Sequence, residues 1–459
     1  MIGRGIGIPF RRGTGGGGTT DIPPAIKKSI IAWYSPKKQK LTNYDVIESY
    51  VTDFTKWRTA DKNYVGLTIR SSSFSISFNK VSDHVIMWKP NYLFNEEGQV
   101  KLQVSGITNN VSIIIKHGTQ EFPIVNGVNT FSFTQEENKS LSFVCKNVFQ
   151  DTNITITQLP TSILKDFSGN GNHAYLYGGK GKLNSGMGVY QTDFSSWQFY
   201  PQLSTVEYSP EQLIIEKVNG PAQFCASSFV GKFIAEVSGI PDGVLLYYQY
   251  IDKITGNTVS TTLSNGINEI DCSNANGDAN MTNMFLIGAN NKDINITITQ
   301  IPDYPDQLCY DGKMYAVCYG FPILEDYTVM ADRTWFDKEE YSAFVSNSLG
   351  DMEDPSNGAF SVEVKSLDSF TVMSFGSLTN ISTPEKGITY QTKQSYNGNS
   401  INVGTKESND VLTLGGRYYY KNNNSAGNLW NGCHGKIIIA DRSFTEEEIN
   451  WLKQNWDKI

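Results

Sequence analysis

Carboxylates, imidazoles and aromatic rings are the groups in this chain that could do chemistry, and their spacing decides what chemistry is open to them. Glycosidic hydrolysis needs two carboxylates facing each other across a sugar ring. No strand of the form E-x-D-x-E occurs, and the acidic run Glu446-Glu447-Glu448 opens a helix, where negative charge suits the positive end of the dipole. The histidines His84, His117, His173 and His434 stand apart, at no metal-ligand spacing. The stretch from Asp271 to Asp278 departs from the calcium-loop template because Ala275 and Gly277 occupy the wrong positions. Asp166, Asn170 and Asn172 stand together in one turn that is stable without an ion, so no cofactor is required.

Aromatic rings offer a different chemistry, because an exposed ring face stacks on the C–H face of a sugar, although the same residues also fill cores. Trp88, Trp335, Trp430 and the run Tyr418-Tyr419-Tyr420 are the glycan-binding candidates. Trp430 and the tyrosines lie near Asn- and Gly-rich loops of the kind that carry binding sites, whereas core packing is the simpler account of Trp335.

The elements that must position these residues are strands. Of 459 residues 12% are aromatic, 24 Tyr and 24 Phe among them, and only 18% are charged, a balance that suits β-sandwiches. This length predicts about three domains. A net charge of −8 gives no basic footprint for nucleic acid, and no run of 18 apolar residues predicts a membrane span. The apolar stretch after Met1 is too short and too interrupted by glycine and proline for a secretory signal. Cys145, Cys225, Cys272, Cys309, Cys318 and Cys433 form no C-x-x-C pair, so free buried thiols are expected, with a Cys309–Cys318 disulfide as the alternative.

Residues 1–24 are too rich in glycine to build a core. Gly13 to Gly18 has phosphate-loop spacing, but Thr19 stands where the lysine is needed. A spacer does not need the apolar Ile2, Ile6, Ile8 and Phe10 interleaved with Arg4, Arg11 and Arg12, so these residues are read as an anchor arm that adds to a partner's sheet edge.

Internal repeats set the organisation of the rest. Asp53-Phe-Thr-Lys-Trp57 returns 140 residues later as Asp193-Phe-Ser-Ser-Trp197, and Val104-Ser-Gly-Ile107 returns after 133 as Val237-Ser-Gly-Ile240. Asn126-Gly-Val-Asn129 returns after 139 and Asn153-Ile-Thr-Ile-Thr-Gln-Leu-Pro160 after 142. The order of the blocks predicts a duplicated sandwich, 44–160 and 185–302, and the jump from 133 to 139 predicts an extra hairpin in the second copy near Asp252–Asn257. Because Asp53/Trp57 and Asp193/Trp197 recur in both copies, a structural use is expected for them.

Around these copies runs a third unit. The turn and strand from Leu164 to Gly178, of the form D-x-S-G-N-G-N-x-A, resembles the one near the start of laminin-G-like, concanavalin-type lectin domains. Trp33-Tyr34 in Ile30–Gln39 resembles the first strand of such a domain, and Leu308–Lys313, Phe321–Met330 and Gly432–Ile449 resemble its middle and end. The resemblance implies an all-β fold: a concanavalin A-like jelly-roll built from 25–43, 161–184 and 303–459, interrupted by two sandwiches that resemble jelly-roll carbohydrate-binding modules, and closed by a short C-terminal helix capped by Thr445 and Glu448. Related lectin-like domains sometimes bind calcium, so the resemblance also makes Asp166, Asn170 and Asn172 the calcium candidates.

The opening Arg4-Gly-Ile-Gly-Ile-Pro-Phe-Arg-Arg-Gly13, the strand ending in Trp33-Tyr34-Ser-Pro36 and the serial lectin-like sandwiches resemble virion fibre proteins of crAss-like bacteriophages. That resemblance implies a structural protein on the virion surface, made in the bacterial host cytoplasm, trimeric, and held by its arm to a capsid or tail protein. Its sandwiches would meet host-surface polysaccharide. A head fibre is expected before a tail fibre because no long shaft is present; the competing class is a polysaccharide depolymerase with an unrecognised carboxylate pair.

Overall fold

The computed structural model describes residues 21–459 apart from 80–82, 95–98, 109, 147–152, 180–182, 201–203, 219–221, 278–282, 289–291, 349–357, 367–368, 383–384 and 420–424. The arm residues Ile2, Arg4, Ile6, Ile8, Phe10, Arg11 and Arg12 thus lie outside the described residues.

The chain is all-β, in antiparallel sheets. Two eight-stranded sheets face each other. One runs in the order Gly186–Val189, Asp303–Asp311, Asn431–Ala440, Thr328–Asp337, Lys386–Thr392, Ser395–Tyr396 and Asn399–Ser400, with Ile30–Tyr34 also paired to Asn431–Ala440. The other runs Ile163–Leu164, Ala174–Tyr177, Tyr315–Tyr319, Val411–Leu414, Ala343–Ser348, Gly358–Ser366, Ser369–Ser374 and Ser377–Ile381. Alternate side chains of the two sheets meet in one core, including Tyr34, Leu176, Leu308, Leu412, Phe360 and Ile437. On the far side of the first sheet, hereafter the helix-side sheet, Trp33, Met330 and Ile438 bury Ile22 and Ile26 from the N-terminal turn together with Ile449, Leu452 and Trp456 of the helix Glu446–Asn455. That helix starts at a capping box between Thr445 and Glu448, and Arg442 holds the Glu448 carboxylate by two hydrogen bonds of 2.8 and 2.7 Å.

Two further sandwiches, each five strands on five, interrupt this unit. Their sheet orders correspond strand for strand: Arg58–Thr59, His84–Lys89, Leu141–Cys145, Ile113–His117, Gln120–Ile124 in the first matches Gln198–Phe199, Ala222–Ser227, Asn283–Ile287, Leu246–Ile251, Thr258–Leu263 in the second. The extra residues of the second copy do not form an added hairpin. They lengthen an existing one: the Ile113–His117 and Gln120–Ile124 strands join through Gly118-Thr119, and their counterparts Leu246–Ile251 and Thr258–Leu263 join through Asp252–Asn257.

Each repeated block has a local reason. Asp53 and Asp193 accept a hydrogen bond from the backbone N–H two residues on and cap a 3-10 turn. That turn delivers Phe54 and Trp57, or Phe194 and Trp197, to the core, and each indole N–H donates to Thr52 (3.0 Å) or Thr192 (2.9 Å). Asn126 and Asn265 bind the backbone of Ile107 and Ile240 in both directions. Gly106 and Gly239 have φ of +87° and +81°, and an added Cβ would overlap the carbonyl oxygen of Asn153 or Asn295. The V-S-G-I and N-I-T-I-T-Q blocks therefore recur together because they touch.

The final Gln of the last block fastens each insert at its base. Gln158 accepts from Thr52 N–H (3.2 Å) and donates to Thr52 C=O (2.8 Å), so the entering and leaving chains are held side by side; Gln300 does the same to Thr192 (3.1 and 2.8 Å).

A candidate glycan-binding site

The aromatic residues singled out by spacing are scattered by the fold. Trp430 is wholly buried against the rings of Tyr310, Trp335 and Phe344, and Trp335 is buried beside it against Phe370. Neither offers a face to a sugar, because both indoles sit between the two large sheets, where apolar area is worth most. Tyr418 is buried too, edge-on to Tyr319 at 5.9 Å. Tyr419 belongs to the short strand Arg417–Tyr419, which pairs with Ser425–Gly427, and Tyr420 lies outside the described residues. Trp88 alone of the tryptophan candidates is only half-buried; it lies on the outward side of its sheet, opposite Arg58 and Ser142.

The turn proposed for calcium is filled by protein donors. One Asp166 oxygen accepts from Trp33 N–H and Ser168 N–H, both at 2.8 Å; the other accepts from Ser168 O–H (2.7 Å) and Asn172 N–H (3.0 Å). Asn170 and Asn172 donate their amide N–H groups to the carbonyls of Ile30 (3.0 Å) and Ile31 (2.7 Å). With N–H and O–H dipoles converging on the carboxylate, the turn opposes a cation at Asp166 and instead ties the strand Ile30–Tyr34 to the opposite sheet. Among the described residues no group of three or more His, Cys, Asp or Glu could hold a metal. Cys272, Cys309, Cys318 and Cys433 are free and buried, and Cys145 is buried. The alternative Cys309–Cys318 bond is ruled out by geometry: Cys309 is on the helix-side sheet, and Cys318 is in the core on the other.

What the fold does assemble is a row of tyrosines on the outer face of the second large sheet, hereafter the tyrosine-side sheet. Tyr177 stacks on Tyr315 (5.0 Å between ring centres, 12° between planes), and the Tyr177 and Tyr319 hydroxyls are 3.1 Å apart. Tyr175 tilts against Tyr319 at 6.2 Å. Burial holds these phenols protonated: Tyr175 and Tyr315 are each pushed up to about 12, and Tyr177 and Tyr319 further. They are neutral hydrogen-bonding groups at any physiological pH.

Tyr175 also forms one wall of a cavity of about 230 Å³ where the first inserted sandwich meets this sheet. Its aromatic lining is Phe54, Trp57, Tyr92, Phe143 and Tyr175, and its polar lining includes Gln99, Lys101, Gln158 and Thr161. Each wall is set by an element already described. The Asp53-capped turn aims Trp57, whose ring is 5.9 Å from Tyr92; Gln135 accepts Tyr92's neighbour Phe94 by its N–H and donates to Tyr92 C=O, both at 3.1 Å. Gln99 and Lys101 come from the strand Gln99–Ser105, and Tyr175 from Ala174–Tyr177. Gln158 is already committed to Thr52 and the Thr161 hydroxyl to Ser49, which leaves Gln99 and Lys101 to meet a ligand's hydroxyls. Apolar walls with few convergent polar groups are the makeup of a small-molecule site. Among the described residues that line this cavity there is no carboxylate.

Sequence reasoning missed the cavity because its walls come from two units far apart in the chain. Trp57 was visible only as a repeated core residue, and Tyr92 and Tyr175 carried no signal. Among the described residues the one carboxyl pushed up by burial is Asp332, which lies on the helix-side sheet, away from the cavity, and accepts from Lys436 N–H. Glu363, on the tyrosine-side sheet, is bound by Arg417 and Ser361.

No family model and no curated protein matches the chain. Among solved structures, Trypanosoma rangeli sialidase in complex with sialic acid aligns at 9% identity over 87% of this chain and 84% of that one, with a TM-score of 0.25. The same sialidase in complex with 2,3-difluorosialic acid, a covalent intermediate, aligns at 10% identity over 87% and 84%, with a TM-score of 0.24. Overlaps of this quality carry no argument for a shared topology or activity.

Proposed function

We propose that this chain is a structural protein of a bacteriophage virion, a head fibre held to the capsid by its N-terminal arm and displaying its sandwiches for weak, multivalent adhesion to host-surface glycan. The observation that carries the reading is the arm itself: apolar Ile2, Ile6, Ile8 and Phe10 alternate with Arg4, Arg11 and Arg12 ahead of three sandwiches in series. Ile22 and Ile26 support it, since they are packed under Trp456 and Leu452 and give the arm a fixed base. The cavity walled by Trp57, Tyr92 and Tyr175 supports the adhesive part, because it combines aromatic surface with the polar side chains of Gln99 and Lys101. Trimerisation would present three such cavities, and avidity would multiply a weak single contact.

Cryo-electron microscopy of purified particles tests the anchor. Density for this chain on the capsid, with residues 1–18 ordered against a capsid protein, is the expected result. Attachment through the tail would make it a tail fibre, and absence from particles together with cleavage of polysaccharide by the purified chain would replace the fibre with a depolymerase.

A further inference from the structure

Cys309 and Cys433 lie directly opposite each other on the paired strands Asp303–Asp311 and Asn431–Ala440. Opposed residues of antiparallel strands have Cα atoms about 4.5–5.5 Å apart, inside the span of about 4.4–6.8 Å that a disulfide bridges. Their neighbours Leu308 and Tyr310 point into the main core, so both thiols project from the other face of the sheet. Both thiols donate to Gln307, Cys433 to its Oε1 at 3.0 Å and Cys309 to its carbonyl oxygen at 3.7 Å, so one residue holds the two sulfurs side by side. Burial, and then the neighbouring Cys433, push the Cys309 thiol well up, which keeps Cys309 unreactive while it stays covered. Tyr190 and Tyr304 stand near the pair, the latter close enough for both thiols to bear on its phenol. Tyr304 and Asp306 both carry left-handed φ, of 52° and 66°, so the strand Asp303–Asp311 begins irregularly just ahead of Cys309.

We infer that Cys309 and Cys433 are an oxidisable pair that closes to a cross-strand disulfide when the chain meets a small disulfide oxidant. One cysteine thiolate attacks the oxidant's S–S bond, forming a mixed disulfide and releasing one small thiol. The second cysteine displaces the other small thiol, so two electrons pass to the oxidant and the two cysteine protons end on the two released thiols. The new bond fastens the strand that returns from the second insert to the central strand Asn431–Ala440, cross-linking residues far apart in the chain.

The full-length chain, purified reduced and then equilibrated with oxidised glutathione, is alkylated after denaturation and mapped by mass spectrometry. A peptide joining Cys309 to Cys433 is expected, with a melting temperature raised by roughly 5 °C and restored by dithiothreitol. Cys433→Ser should abolish both the linked peptide and the rise in melting temperature. Because burial alone could slow the reaction, the oxidation is repeated in urea below the unfolding transition. If Cys309 and Cys433 still alkylate as in the reduced chain, or if either links to another cysteine, the proposal falls.

Discussion

Gly106 and Gly239 show how single residues enforce the repeat. Their left-handed φ and the carbonyl oxygen of Asn153 or Asn295 leave no room for a Cβ. Gly106→Ala should cost about 2–4 kcal/mol, and Gly239→Ala a similar amount, because backbone strain and overlap add. Chemical denaturation checks this, and an effect below about 1 kcal/mol at either site would mean that the turn relaxes freely. His434 makes a pH-dependent prediction. Its imidazole is buried 3.0 Å from the Tyr310 hydroxyl, and burial holds its pKa down at about 4 against an ordinary 6.5. The unfolded chain therefore binds the proton first as pH falls: stability from this group is complete above pH 6.5 and is lost as pH falls toward 4, by up to about 3 kcal/mol. Carboxylates titrate in the same range, so the test is a difference: the stability gap between the native chain and His434→Gln should shrink by that amount between about pH 7 and pH 4.

Among elements, the inserts depend on how they are fastened. Removing Gln158 leaves the Thr52 N–H and C=O without the side chain that bonds both. Gln158→Ala should therefore raise hydrogen exchange at residues 47–54 and destabilise the first sandwich by about 2 kcal/mol, while the second, held by Gln300, keeps its protection. Equal effects on both inserts would show that the clasps are not independent. The C-terminal helix offers a second case: Thr445→Ala removes one side of its capping box and should cost about 1 kcal/mol, with Ile22 and Ile26 loosened as the helix frays. At this scale much was legible in the sequence. The capping box, the duplicated blocks and the turn at Asp166 are each written as a short run of residues, although the blocks and that turn are completed by bonds to strands far off in the chain. The lengthened hairpin was read as an additional one because an offset counts inserted residues without saying which strands they extend.

For the whole molecule, the glycan-binding reading makes the junction cavity the place to look. Lys101→Ala and Tyr175→Ala should each reduce binding of the chain to host polysaccharide by about tenfold, the equivalent of one good polar or stacking contact. Surface plasmon resonance on immobilised polysaccharide measures this, with Ile254→Ala, a highly exposed change on the second sandwich, expected to bind as the native chain does. Loss of binding in Trp88→Ala but not in these two would move the site to the outward face of the first sandwich.

Composition, alternation and repeated blocks determined that the chain is all-β, that two of its sandwiches are copies, and where the closing helix starts, because each depends on contacts between residues near in sequence. The tertiary structure alone decided which aromatic rings are covered. Trp430, Trp335 and Tyr418 vanish into packing while Trp57, Tyr92 and Tyr175 come to line one cavity, since burial depends on which sheet faces pass over one another. It also set Cys433, not Cys318, beside Cys309: strand order in a sheet is fixed by long-range pairing, and no spacing along the chain records it.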